Sequence, residues 1–426
     1  MMLRCLCKWV LCLFVLLSAG TGLFAQTLII PNAGTNRSLA KGLESGLPGR
    51  TDLPGYKGAN DLYTLLDGTT DSKAQNAFAR RSSGWQAGVF NRILMSNTDM
   101  RQNNLFNQLT QMRSDGIYNA LTESVLLGQT AGTRVNPWTR WVSWDGNDER
   151  LGGETASYED LRANSSAFNV GMARKAVGFG RRAYVGFNFS YNYGNFRDTT
   201  GSADRGYTKG RYDGFAALAS ARIDKQGRSY WTDWTLGWMV NTFDMDRRDY
   251  LRTLHQSDTT AGIFRLGWAI GQDYGFQTHK YYYYYEHCRL SPILGIDYSA
   301  LSQAGLKESN NSNGLALSGK DAWMNSMRGK LGLEFAYKYT DLAFTMHSYL
   351  RYEFWDKGMD LPMSFASAPA IRYDVLPQSV DRLSGIFGFN LTAQMFENQD
   401  FGLSYDGIFI DGGSSHWFNL RYVRRF

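Results

Sequence analysis

The closing segment of the chain constrains its fold more than any other feature. Phe418, Leu420, Tyr422 and Phe426 fall on one side of an extended backbone, and Trp417, Asn419, Arg421 and Arg425 on the other. Successive side chains of a strand point to opposite faces. An apolar face for lipid and a polar face for a wet lumen is the pattern of a transmembrane β-barrel. Arg424 departs from it, on the lipid side but near the strand end, where a long side chain can snorkel to the headgroups.

The N-terminus supports an outer-membrane address. Arg4 and Lys8 precede an apolar run from Trp9 to Leu17, and Leu23-Phe24-Ala25 is an acceptable cleavage site. That run is too short to span a bilayer, so residues 1–25 read as a signal peptide rather than an anchor. No Cys follows the cleavage point, which argues against a lipoprotein. Cys5, Cys7 and Cys12 leave with the signal, and Cys288 alone remains, so no intramolecular disulfide is expected. Downstream there is no apolar run long enough for a transmembrane helix, and barrel strands need none. Pro occurs only 8 times, as expected where paired strands exclude it. Basic residues are spread along the chain, so no nucleic-acid surface is expected.

From about Asn136 onward, strand-like segments fill the chain, and residues 136–426 read as the barrel. Ala183, Val185, Phe187, Phe189, Tyr191 and Tyr193 alternate with Arg182, Tyr184, Gly186, Asn188, Ser190 and Asn192. Trp234, Leu236 and Trp238 alternate with Asp233, Thr235 and Gly237; Leu350, Tyr352 and Phe354 alternate with Arg351 and Glu353. A soluble sandwich also alternates; the connections discriminate. Short links at Gly178–Arg181, Asp224–Gly227, Tyr339–Asp341 and Glu397–Asp400 alternate with long polar ones at Asp145–Asn164, Arg197–Thr208, Asp244–Thr260, Ala300–Lys320 and Asp356–Asp381, apart from a looser link near Gln272–Lys280 and a tight last one at Asp411–Ser414. Outer-membrane barrels have short periplasmic turns and long external loops, and the segments count to about twelve antiparallel strands. The expected fold is therefore all-β, a closed transmembrane barrel with a helix ahead of it.

Residues 61–135 have a different texture. From about Asp71 to Leu127 the apolar positions Phe78, Trp85, Phe90, Ile93 and Leu94 follow helical spacing, with Lys73, Arg80, Arg81 and Arg92 between them. Residues 26–60 are rich in Gly, Asn, Ser and Pro and read as a linker or vestigial passenger.

These residues resemble the C-terminal translocator domain of the autotransporters (type V secretion) of Gram-negative bacteria. The resemblance rests on Leu62-Tyr63-Thr64-Leu65-Leu66-Asp67-Gly68 before a helical stretch, on Trp138 and Trp141–Gly146 as a first strand, and on the terminal Phe426. Phe168-Asn169-Val170-Gly171-Met172 matches only partly, because Met172 and Ala173 stand where the family often has an acid. The resemblance implies a helix threading the lumen, an N-terminal passenger outside, and an assembly signal at Phe418, Leu420, Tyr422 and Phe426. It also implies barrel-assembly machinery and periplasmic chaperones as partners; the barrel reading itself adds outer-membrane lipids and a monomer. The chain departs from the family in passenger size: roughly thirty residues lie between signal and family-like region, too few for an independent core. Either the passenger is vestigial, or it lies on another chain, or the barrel itself is the functional object.

A basic helix in the lumen would pair with inward carboxylates Asp213, Asp233, Glu334 and Glu353, which inward Arg182, Arg211, Arg265, Arg328 and Arg351 would also meet. The alternative is that these charges merely solvate a water-filled lumen. Asn103-Asn104 resembles the junction at which some autotransporters cleave themselves, the first side chain attacking its own carbonyl; a polar linker is the other reading. Tyr281–Tyr285 reads as an interfacial girdle at a strand start, the alternative being a carbohydrate or ligand platform. The histidines lack metal spacing, and no nucleophile, phosphate-loop or zinc motif occurs, so no catalytic, cofactor or metal site is expected. The resulting reading is an outer-membrane translocator or anchor. The alternative is a structural or porin-like barrel whose external loops, such as Asp145–Asn164 and Asp356–Asp381, bind partners.

Overall fold

The computed structural model describes residues 33–48, 50, 53–68, 82, 85–126, 138–151, 161–178, 181–198, 208–225, 229–281, 284–339, 341–357, 360–375, 382–396, 399–410 and 413–425. The signal-peptide reading, Lys73, Phe78, Arg80, Arg81 and the terminal Phe426 lie outside the described residues.

The wall consists of β1 (Thr139–Leu151), β2 (Leu161–Gly178), β3 (Arg181–Asp198), β4 (Thr208–Lys225), β5 (Tyr230–Arg248), β6 (Leu254–Gln272), β8 (Tyr284–Gln303), β10 (Ala322–Tyr339), β11 (Leu342–Lys357), β14 (Leu383–Phe396), β15 (Gln399–Ile410) and β16 (Gly413–Arg425). The short β7 (Tyr274–Tyr281) takes over the edge of β8 where β6 leaves it, past Asp273. The ring of twelve antiparallel strands closes through β1 on β16 and β8 on β10, which leaves no free edge for lipid to meet.

Alternation sorts the side chains. Phe189, Phe215, Trp234, Trp238 and Leu420 stand exposed on the outer face, while Asn188, Ser220, Thr235, Asn241 and Asn419 are buried inside. The sequence correctly places the two faces of β3, β5 and β11. The turns after β2, β4, β10 and β14 and both ends of the barrel domain, Thr139 paired with Arg425, lie at one end. The long connections lie at the other, together with the short β5–β6 and β15–β16 turns.

Several of those connections are shorter than the sequence suggests. The link expected at Asp244–Thr260 is mostly wall, because β5 runs to Arg248 and β6 starts at Leu254. Strands of 18–20 residues, such as β3 and β8, exceed the roughly 9–11 residues that cross a bilayer. Their excess length raises the wall beyond the membrane, and polar residues there no longer mark the lumen. This corrects Asp213 and Arg211, expected inside. Both stand exposed on the outer face of β4, where the Tyr191 hydroxyl donates to Asp213 at 3.5 Å and Arg211 Nε meets Asp244 at 2.7 Å, while Tyr212 takes the inner position.

Above the wall the loops fold on themselves. β9 (Leu317–Gly319) pairs with β12 (Leu361–Phe365), which pairs with β13 (Ala368–Val375). On β13 of this sheet rests α1 (Ala33–Gly46), and α2 (Lys57–Gly68), following a 3-10 turn at Pro54–Tyr56, packs against α1 and the loop at Asn313–Leu315. Within the segment expected to be a linker, residues 33–46 are therefore a packed helix, and α2 begins inside its end. Leu39, Leu43 and Leu47 recur every four residues and are buried with Ala59, Leu62 and Leu66. Too apolar-poor to make a core alone, the pair completes one with Leu306, Leu315, Leu361, Met363, Phe365, Ile371 and Val375.

Candidate functional site

A third helix, α3 (Phe90–Leu126), runs down the lumen from the long-loop end. At its start Phe90 stacks on Phe243 with ring centroids 4.3 Å apart and meets Phe196 edge-on at 5.5 Å. Around it the inner wall is apolar: Leu161, Ala163, Met245, Ile263, Leu301 and Met324 form a collar with Ile93 and Leu94 of the helix. The sequence reading of a uniformly polar lumen missed this collar, because at the mouth the inner face carries aromatic and aliphatic residues too. One continuous hydrophobic cluster extends from Leu39 and Phe365 of the cap to Phe90 and Ile263 of the collar.

Below the collar α3 turns polar. Asn91, Asn97, Asp99, Arg101, Gln102, Asn107, Gln108, Thr110, Gln111 and Arg113 are all buried. No apolar stripe runs the length of α3, and of the basic positions expected, Lys73, Arg80 and Arg81 lie outside the described residues while Arg92 lies in its first turn. Among its arginines stands a buried acid, Asp99. Asp99 accepts a short bond from Arg265, lies 2.7 Å from Arg351 Nη1 and 3.5 Å from Arg328 Nη1, and Arg328 Nε lies 3.7 Å from Glu353. Three wall arginines on β6, β10 and β11 thus converge on one carboxylate of the helix.

A second tier reverses the polarity. Arg113 of α3 donates to Asp224 at 3.0 Å and to Asp273 at 2.5 Å, and Arg182 joins Asp224 at 3.0 Å. Beside it Arg222 forks onto Asp233 at 2.7 Å, reaches Glu334 at 3.3 Å and lies 4.0 Å above the Trp231 ring. Thr110 of the helix also bonds Glu334, at 3.2 Å. Charge-assisted, forked bonds are the strong ones, and enclosure between helix and wall strengthens them further. Two further contacts lie between the tiers. Gln102 donates to Asp297 at 3.1 Å, and Asn104 Nδ2 is 3.3 Å from both Asp145 carboxylate oxygens.

Of the inward charges expected from sequence, Arg182, Asp233, Arg265, Arg328, Glu334, Arg351 and Glu353 are brought into these tiers, and Asp213 and Arg211 are not. The helix partners Asp99, Gln102, Thr110 and Arg113 gave no signal, because a helix that is polar on every side has no period to detect. Phe418 and Leu420 are exposed outside, and Tyr422 partly so. Among the described residues no group of His, Cys, Asp or Glu could hold a metal. Each tier acid engages a cation or an amide, so the arrangement grips the helix.

The sequence profile described as the Autotransporter beta-domain matches residues 140–406. The fold is similar to the translocator domain of autotransporter NalP from Neisseria meningitidis, at 11% identity over 76% of this chain and 98% of that one, with a TM-score of 0.52. Looser likenesses are the β-domain of the Bordetella autotransporter Brka (14% identity, 68% and 99% coverage, TM-score 0.46) and the transport unit of AIDA-I from Escherichia coli (10%, 72% and 95%, 0.44). Among curated protein sequences none matches.

Proposed function

The chain belongs to the autotransporter family, as an outer-membrane translocator barrel of that family, and on that premise we propose that its cargo is its own N-terminal segment, retained on the outside as a cap. The observation that carries this reading is the shared core. Leu39, Leu43 and Leu62 are fully buried against loop residues at the end that carries the long connections, continuous with the collar around Phe90. Burying such a side chain stabilises by about 1.5–3 kcal/mol, so several together hold the segment in place without a covalent link.

In this reading residues 1–25 are a signal peptide and residues 26–60 a short passenger. Residues 61–135 provide the plug that the charge tiers hold, and residues 136–426 form the anchor. Phe418, Leu420, Tyr422 and Phe426 form the signal read by barrel-assembly machinery after periplasmic chaperones deliver the chain. The function is topological and uses neither a cofactor nor an enzymatic passenger. An outer-membrane hydrolase would recruit inward Asp233, Asp297 and His347; here Arg222 holds Asp233, Gln102 donates to Asp297, and His347 lies 2.8 Å from Asp406.

An epitope tag after Pro31 tests the topology. Added protease should remove it from intact cells. A tag protected until the outer membrane is permeabilised would place the segment in the periplasm and overturn the proposal.

A further inference from the structure

Where β3 to β6 rise past the apolar band, their outer face carries rows of polar side chains. In the strand register Asn195, Arg211, Asp244 and Asp258 lie side by side, and Lys209, Asp246 and Gln256 form the next row out. The loop that follows β8 runs beside β6. The Ala304 amide donates to the Thr260 carbonyl at 2.8 Å and the Ser309 amide to the Gln256 carbonyl at 2.8 Å, which brings Lys307 and Ser309 to the same rows. Wall and loop together border a recess of about 630 Å³. Small-molecule sites have volumes of about 300–1,000 Å³.

The side chains of the recess divide into two sets. Arg211 Nε holds Asp244 at 2.7 Å, Lys209 reaches Asp246 at 3.7 Å, and Gln256 donates to Asp246 at 3.0 Å, so these groups brace one another. Asn195, Asp258, Lys307 and Ser309 are exposed, and among the described residues their side chains have no hydrogen-bond or ion-pair partner. Asp258 also stands directly opposite Asp244, a placement in which like charges repel. A lone anion would meet that repulsive carboxylate pair, and a lone metal cation would leave Lys307 unanswered. A sugar bearing phosphate answers both, with hydroxyl donors for Asp258 and an anionic group for Lys307. The loop is already fixed for this task. Glu308, between Lys307 and Ser309, is forked by the buried Arg247 at 2.7 and 2.6 Å, and a pre-ordered site loses less entropy on binding.

The wall nearer the membrane centre specifies how such a sugar is carried. On the same four strands Tyr191, Phe215, Trp238 and Phe264 are exposed by 39–63%. That face belongs against acyl chains. We propose that the recess between β3–β6 and the loop at Lys307–Ser309 binds the phosphorylated saccharide headgroup of an outer-leaflet glycolipid, whose chains lie on the apolar wall beneath. Lys307 takes the phosphate, and Asp258, Asn195 and Ser309 take hydroxyl groups. Since Lys307 and Ser309 belong to the loop that Arg247 fastens, the ligand ties that loop to the membrane surface.

The test uses the full chain, folded as judged by its unboiled gel migration, in nanodiscs of phosphatidylethanolamine containing bisphosphorylated lipid A with its inner-core sugars. Glycolipid kept through detergent release is read by native mass spectrometry. Wild-type protein should keep it in preference to the same glycolipid stripped of phosphate. Asp258→Ala/Lys307→Ala should lower retention by about tenfold or more, the loss that follows when hydrogen bonds to charged groups are removed. Asn195→Ala should lower it less. Arg150→Gln, on the exposed outer face of β1 at the same end of the barrel, should leave it unchanged. Either single variant serves if the double variant does not insert. Inner-core saccharide freed of its acyl chains should not displace the glycolipid at millimolar concentration. Equal retention of phosphorylated and dephosphorylated glycolipid, unchanged retention in the folded Asp258 and Lys307 variants, an equal loss in Arg150→Gln, or displacement by the free saccharide would each overturn the proposal.

Discussion

Gly42 of α1 faces the backbone of β13 so closely that a β-carbon added to it would lie 2.5 Å from the Arg372 carbonyl oxygen. One helical turn on, at Gly46, the same construction meets the Ile371 Cα at 2.8 Å, and at Gly55 it meets the Ser367 carbonyl oxygen at 2.6 Å. The glycines of the N-terminal segment are thus the points at which helix and sheet touch, and Ser38 Oγ accepts the Asp374 amide at 2.9 Å along the same line. Gly42→Val should drive α1 off the sheet, since backbone cannot yield as a flexible side chain can; forced overpacking costs roughly 1–3 kcal/mol. Hydrogen exchange should then accelerate across residues 33–47 and 361–375, while the barrel keeps its heat-modifiable migration. Unchanged protection of residues 33–47 would show that the helix is not held there.

Asp99 is the single acid on which Arg265, Arg328 and Arg351 converge. Removing one partner of an enclosed charge network leaves the others uncompensated, at a cost of about 3–5 kcal/mol. Asp99→Ala should therefore loosen α3 and raise the population with the helix displaced by about a hundredfold or more. In planar bilayers the variant should open far more often than wild type, whose lumen α3 occupies. Removing Thr110, whose tier keeps Arg222 on Asp233, should do much less. Equal conductance of Asp99→Ala and wild type would mean the tier does not retain the helix.

The two cases also mark where the sequence was readable. Phe187 to Tyr193 and Trp234 to Trp238 announce their faces because lipid contact imposes an apolar residue at every second position. Asp213 and Arg211 mislead because the wall continues above the hydrocarbon, where the outer face is polar too. Leu39, Leu43 and Leu47 have helical spacing, but the surface they bury against comes from Leu315 and Ile371, some three hundred residues further along the chain. No local pattern reports such a partner, so the glycines between those leucines read as a linker. The tier residues of the wall were visible as inward charges. Their partners Asp99 and Arg113 were not, since pairing depends on the depth to which α3 enters.

The cap has its own acid-sensitive joint. Asp249, in the turn between β5 and β6, accepts the Leu251 amide at 2.8 Å, the Thr253 amide at 3.0 Å and His255 Nε2 at 3.0 Å, and also a short bond from the Asn313 amide of the cap loop. Burial pushes this carboxyl up, but the hydrogen bonds from His255, Asn313 and Thr253 outweigh it and hold the group below its ordinary range. A carboxyl depressed in the folded state contributes stability above its unfolded value of about 3.9, and that contribution fades as pH falls through the folded value. Cap protection should stay level from pH 7 to about 4. Below that the turn at 249–253 and the loop around Asn313 should become protease-sensitive before the barrel opens. Asp249→Asn should weaken the cap at neutral pH and flatten its acid response. A cap that loosens with the same midpoint in the variant would assign the transition to another group.

The Asn103–Asn104 bond lies within α3, and this placement decides what it can do. Attack by the Asn103 side chain on its own carbonyl needs the side-chain amide to swing toward the C-terminal side of its residue. In a regular helix, side chains lean toward the N-terminus while carbonyls point the other way. Asn104 is further tethered to the Asp145 carboxylate, itself bonded to Asn169 at 2.8 Å. Cleavage therefore requires local unwinding inside a filled lumen, against contacts on both sides of the bond. The folded chain should remain uncut, with α3 covalently joined to the cap, and intact mass of protein extracted from outer membranes should show one species spanning both. If Asp145→Ala, by freeing Asn104, produced a fragment beginning at Asn104, the tether would be what protects the bond. A wild-type fragment with that terminus would mean that the helix opens during export, before the tiers close on it.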